Sequence, residues 1–126
     1  MENYTVEINK KYTVTSQDVD DIMVTALEGG IGYWCRKATV VGDYLGEYAS
    51  EQISRGGSLI LYDAESNDHW ELDLEKLLNG IQKTIEDGWF DDCDWYIDGE
   101  LDCCQIDGEI ADTIVQFALF DDIIFG

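Results

Sequence analysis

Apolar and polar residues alternate through "YTVEINKKYTVT", and the run is rich in β-branched residues; the pattern predicts a strand at about 3–14. "TSQDVDDIMVTALEGG" then switches to a helical period. Thr15 or Ser16 can cap that helix, Asp18, Asp20 and Asp21 suit its positive end, and Gly29-Gly30 can close it. Ile22, Ala26 and Leu27 give its core face. "GYWCRKATVVGDYLG" reads as an extended segment with an aromatic start. "GSLILYDAESNDHWELD" predicts a hairpin with arms Ser58–Asp63 and His69–Asp73 around the polar turn "AESND".

The strongest helical period is in "LDLEKLLNGIQKTIEDG". Leu74, Leu77, Leu78, Ile81 and Ile85 share one stripe, the helix begins at Asp73 or Leu74, and Gly88 closes it after Asp87. "WFDDCDWYIDGELDCCQID" is acidic and aromatic, and predicts a loop with an edge strand or hairpin. A third helix is expected over about Gly108–Phe120, capped by Asp107, with Ile110, Ile114, Phe117 and Val115 inward. The apolar tail "DDIIFG" is expected to dock. This order predicts an α+β fold, a small single domain over residues 1–126 with a mainly antiparallel β-sheet and about three helices.

Composition narrows the classes. The chain has 126 residues and a formal charge of −21, yet it holds four Trp and seven Tyr. Disordered acidic chains are poor in aromatics, so a packed core is expected. No apolar run approaches the ~20 residues that cross a bilayer, and "MENYTVEINKKYTV" lacks the pattern of a signal peptide. A cytosolic protein with reduced thiols is expected. No C-x-x-C pair links Cys35, Cys93, Cys103 and Cys104, so neither a zinc nor a redox motif is written. After Lys83 there is no Lys or Arg, in a segment dense in Asp and Glu. Such a surface repels DNA and RNA.

Catalytic and metal motifs fail on inspection. From Asp94, an EF-hand loop would need oxygen ligands where Tyr96 and Gln105 stand, so a solvated acidic face is the better reading and no metal is expected. His69, the sole histidine, has no motif joining it to Cys35, and a cross-strand or ligand contact suits it better than nucleophile activation. Neither an enzyme nor a cofactor is expected.

Binding chemistry is better represented. Trp70 belongs to a set of aromatics, core by default, that also offers a platform for a flat base. Asn79 precedes Gly80 in mid-helix, two weak helix formers together. A kink or close helix packing accounts for them, and so does a side chain kept for a ribose or base edge. Arg55 stands before Gly56-Gly57. An exposed turn arginine paired to Glu51 or Glu47 is the favoured reading; a forked phosphate contact beside glycine amides is the other.

"VVGDYLGEYASEQISRGGSLILYD" (40–63), "WELDLEKLLNGI" (70–81) and "EIADTIVQFALFDDIIFG" (109–126) carry a resemblance. Over most of its length the chain resembles the first-described anti-Thoeris family, small anti-defence proteins of phages and prophages of Firmicutes. The resemblance implies a sponge. Such proteins bind glycocyclic ADP-ribose, the signal made from NAD by a Thoeris TIR protein, without degrading it, and the effector stays silent. It implies work in the cytoplasm of the infected bacterial host, homodimers or higher homo-oligomers, pockets at subunit boundaries and, in some relatives, a separate site for cyclic oligonucleotides. Carried onto this chain, Trp70 would face the adenine and Asn79 a ribose or base edge. Arg55 with Gly56 and Gly57 would meet phosphate, or serve the cyclic-oligonucleotide site. His69 would be a ligand contact, and Asp94 would accept from ribose hydroxyls. The charge supports a rival reading, an acidic DNA mimic that inhibits a restriction or CRISPR nuclease. Its weakness is that many carboxylates alternate with Trp, Tyr and Cys instead of lining one surface.

Overall fold

A computed structural model describes residues 3–7, 11–89, 96–97, 100–101 and 106–126. The first alternating run is two strands and not one. β1 (Asn3–Glu7) and β2 (Lys11–Thr15) pair antiparallel, from Asn3 opposite Thr15 to Glu7 opposite Lys11. One long strand and the two arms of a hairpin share the period of two, so alternation does not separate them.

Thr15 ends β2 and caps α1 (Ser16–Thr25). Its hydroxyl accepts from the Asp18 amide at 3.1 Å, while the Asp18 carboxylate accepts from the Thr15 amide at 2.9 Å. This reciprocal box satisfies two groups that a helix start leaves open. One wider π-helical turn, Ala26–Gly30, continues the helix. Val19, Ile22, Met23 and Ala26 are buried, and Leu27 packs against them.

β3 (Cys35–Val40), β4 (Leu59–Asp63) and β5 (His69–Leu72) form an antiparallel sheet in that order, the expected hairpin supplying its last two strands. Leu59, Leu61 and Leu72 are fully buried on its inner face, with Ala38, Val40 and Trp70 packed beside them. Alternation sends Thr39, Ile60, Tyr62, His69 and Glu71 to the outer face.

α2 (Leu74–Glu86) starts at Asp73, whose carboxylate accepts from the Lys76 amide at 2.9 Å. Leu77 and Ile81 of its predicted stripe are buried; Leu74, Leu78 and Ile85 pack against the core. Two short strands, β6 (Tyr96–Ile97) and β7 (Glu100–Leu101), pair antiparallel in the acidic segment, and β7 meets β2 in parallel at Thr13 and Glu100. α3 (Gly108–Phe120) is capped by Asp107 as expected.

α2 and α3 pack closely at Gly80. A Cβ there would collide with the Ile114 carbonyl and lie 2.9 Å from the Ala118 Cβ. Close helix approach therefore accounts for the glycine beside Asn79. The buried residues form one cluster from Val14 to Val115, and the fold is α+β. Among the described residues no helix is long and apolar enough to cross a membrane.

Candidate functional site

The tail after α3 turns back onto the turn that precedes β3. Phe125 stacks on Trp34, with centroids 4.9 Å apart and planes 4° from parallel. Trp70 and Phe120 complete the cluster edge-on; Trp70 lies 5.9 Å from Trp34 and 4.9 Å from Phe120. Edge and offset contacts of this kind suit the ring quadrupole.

A polar network on α3 fixes that arrangement. Asp112 is 8% exposed. Its carboxylate accepts from the Trp34 indole at 2.7 Å, the Tyr33 phenol at 2.6 Å and the Gln116 amide at 3.0 Å. Gln116 is fully buried. Its oxygen accepts from the amides of Ile124 and Phe125, both at 2.9 Å, and its Nε2 donates to the Phe125 carbonyl at 3.2 Å. The tail thus has its backbone satisfied by a side chain, as irregular buried chain requires. Burial, then the hydrogen bond and charge of Asp112, pushes the Tyr33 phenol up to about 12. It stays a donor across the physiological range.

Beside this network lies a cavity of about 480 Å³. Tyr33, Trp89 and Phe125 supply aromatic walls, Ile123 an apolar one, and Asp112, Glu109 and Thr113 the polar groups. The Trp89 indole is oriented by the Asp87 carboxylate at 3.0 Å. Small-molecule sites have this size and this mixture of apolar wall and few polar groups. Its acceptors suit hydroxyl or amino donors, and its walls suit a flat ring. Its described lining contains no Lys or Arg.

The residues expected from sequence do not converge on one place. Trp70 faces inward into the aromatic cluster, sharing Phe125 with the cavity wall. His69, its neighbour on β5, is exposed on the opposite face of the sheet, where its ring lies 5.7 Å from Tyr62. Asn79 is exposed on α2. Asp94 lies outside the described residues, as do Cys93, Cys103 and Cys104. Cys35 is buried, its thiol 3.2 Å from the Lys37 carbonyl, and burial pushes its pKa up, which does not suit a nucleophile.

Arg55 sits as its local chemistry predicts. It is exposed and its guanidinium lies 3.5 Å from Glu51. Glu51 also accepts the amides of Glu47 at 2.9 Å and Tyr48 at 3.0 Å. The glycine amides are engaged within the loop. Gly56 donates to the Ile53 carbonyl at 3.1 Å and Gly57 to that of Gln52 at 2.9 Å. Gly56 has φ of 90°, a conformation that favours glycine. Gly57 is small for another reason: a Cβ there would come within 2.5 Å of the buried Gln52 amide. Arg55, Ser54, Ser16 and Asp20 line a polar recess of about 290 Å³, in which the Ser54 hydroxyl donates to Asp20 at 2.5 Å.

Comparison of the chain with known protein families, with curated proteins and with solved structures finds no match. Sequence reasoning missed Asp112 and Gln116. A signal was present. Asp112 and Gln116 are four apart in "GEIADTIVQFALF", a polar pair on one face of an otherwise apolar helix.

Proposed function

We propose that the protein is a phage anti-defence sponge, which captures glycocyclic ADP-ribose without degrading it and so silences Thoeris immunity in the cytoplasm of the infected host. One structural observation carries the reading: the aromatic-walled cavity of about 480 Å³ beside the Asp112 network. Tyr33, Trp89 and Phe125 suit an adenine, and the carboxylates of Glu109 and Asp112 suit ribose hydroxyls. The resemblance of residues 40–81 and 109–126 to anti-Thoeris proteins supports the same reading and implies a homodimer or larger homo-oligomer as the working unit. A sponge must outbind the effector, each tenfold advantage needing ~1.4 kcal/mol. Preformed walls supply affinity by lowering the cost of ordering.

The test is capture and release. Purified protein is incubated with glycocyclic ADP-ribose, freed of unbound ligand and heated. Intact signal in the heated supernatant is the expected result. Absence of capture overturns the reading, and capture followed by loss of the molecule makes the protein an enzyme. Trp89→Ala is expected to weaken capture about tenfold, because stacking on an aromatic contributes ~1–3 kcal/mol per base. The charge of −21 favours the second reading, a DNA mimic. Failure of capture together with nuclease binding that salt weakens steeply would install that reading instead.

A further inference from the structure

Successive residues of a regular strand point to opposite faces of the sheet. Arg36 and Lys37 do not. The register of β3 against β4 shifts between Cys35 and Lys37, a bulge. Both cations consequently come over one ring. The Arg36 Cζ lies 5.2 Å and the Lys37 Nζ 4.6 Å from the centroid of Tyr62. Bulges re-aim side chains in this way. On the far side of Tyr62, His69 is its direct partner in the β4–β5 register. The outer face of the sheet therefore carries a row of two cations, a phenol and an imidazole.

These cations are not consumed by carboxylates. The ion pairs among the described residues join Arg55 to Glu51 and Lys83 to Asp121. Arg36 Nε donates to the Asp63 carbonyl at 3.1 Å, which orients the guanidinium and leaves its terminal nitrogens to act. The Asp63 carboxylate is turned to the hairpin, accepting from the Ser66 hydroxyl at 2.5 Å. In a chain of charge −21, adjacent cations aimed over one half-buried ring are where an anion would be attracted.

We propose that Arg36, Lys37, Tyr62 and His69 form a binding site for a small diphosphate-bearing anion, on the face of the sheet opposite Trp70. Arg36 offers forked donors, Lys37 a compact charge and His69 a further N–H. Two phosphoryl groups can meet the two ends of the row. The surrounding acidity disfavours a long nucleic acid and selects a small ligand. The site does not rest on the sponge reading, because it shares no residue with the cavity.

His69 is the sole histidine, so its imidazole proton resonance is a private reporter. Addition of inorganic pyrophosphate to the full-length protein at fixed pH is expected to shift the His69 imidazole resonance, since the bound anion lies against the ring. Arg36→Gln and Lys37→Gln are each expected to weaken pyrophosphate binding about tenfold, the loss of one charge-assisted hydrogen bond. Lys83→Gln removes the same charge elsewhere and is expected to change it less than about twofold. ADP binding more tightly than pyrophosphate would extend the site to a nucleoside, and equal binding would assign it to the diphosphate alone. An unmoved His69 resonance at saturating pyrophosphate overturns the proposal, and so does an equal loss in Lys83→Gln.

Discussion

Two buried glutamines do the same job in two regions of the molecule, with different results. Gln116, on α3, holds the tail by two backbone amides and a carbonyl. Gln52 holds the loop after β3: its oxygen accepts from the Leu45 amide at 3.0 Å and its nitrogen donates to the Asp43 carbonyl at 3.1 Å. Their side chains are 0% and 1% exposed. Around Gln116 the clamped chain turns Phe125 inward onto Trp34, while Ile124 beside it faces out. Around Gln52 the apolar side chains face out: Val41, Tyr44, Leu45 and Tyr48 are all exposed. The difference lies in what stands behind each clamp. Gln116 is backed by Asp112 and four packed rings, whereas the loop that Gln52 holds is otherwise tied by Glu51, which pairs with Arg55 at the surface. A side-chain clamp fixes backbone in either setting; the neighbours decide whether that backbone joins the core.

The sharpest break in the comparison is Asp112→Ala. It strands the buried indole of Trp34 and removes one partner each from the Tyr33 phenol and the Gln116 amide, which keep their bonds to the Phe125 carbonyl. Hydrogen bonds to charged groups contribute ~1.5–3 kcal/mol each, with poor additivity, so a loss of about 3 kcal/mol or more is expected. The urea midpoint reads it. A loss below about 1 kcal/mol would mean that the network is ornamental to stability.

Next come the glutamines themselves. Gln116→Ala is expected to cost about 2 kcal/mol and to alter Trp34 fluorescence as the tail lifts. Gln52→Ala should cost about 1 kcal/mol, because water can reach the freed groups of an exposed loop. Its clearer signature is local: faster hydrogen exchange at the Leu45 amide, with the Phe125 amide unchanged. Equal global losses would show that the two clamps do not differ as their surroundings imply.

Much of this was legible in the sequence, for reasons that differ by element. α2 and α3 declared themselves by apolar period and by Asp73 and Asp107, since caps and stripes are local. The β4–β5 hairpin was equally local. The aromatic cluster was not, because Trp34, Trp70 and Phe125 meet only through tertiary packing; the docking of the tail was expected, but not what it docks on. Arg55 was legible as a turn residue because Glu51 is one helical step away. The glycine pair was ambiguous: "RGG" looks the same whether its second glycine admits an anion or the amide of Gln52. Asp112 and Gln116 were overlooked because polar residues on a buried face contradict the pattern that finds the face.

Gly57 offers a smaller test of the same loop. Gly57→Ala pushes a methyl against the Gln52 amide, and a cost of about 1 kcal/mol is expected, typical of mild overpacking. In a Gln52→Ala background the cost should vanish, since the obstructing side chain is gone. A double-mutant cycle measures this coupling. Additive losses would place the strain of Gly57→Ala in the backbone and remove Gln52 from the account.

The smallest effects are in pH, and they separate the two regions by sign. The Tyr33 phenol is raised from 10.0 to about 12 in the folded protein. Its contribution is therefore fully present below pH 10, and it is lost as pH rises from about 10 to about 12, because the unfolded chain releases this proton first. Tyr33→Phe has no proton to release, so its stability gap to the wild-type protein should narrow across that window. The loop responds at the other end. The Tyr48 amide, with that of Glu47 and the Arg55 guanidinium, holds the Glu51 carboxyl below its ordinary 4.5. Its contribution is present above that value and is lost as pH falls through the lowered one. Hydrogen-exchange protection at Glu47 and Tyr48, relative to the intrinsic rate, should fall at acid pH in the wild-type protein, and Glu51→Gln should show no such acid limb. A loop that loosens at alkaline pH, or a tail that loosens in acid, would reverse the assignment of Glu51 and Tyr33 to the two clamps.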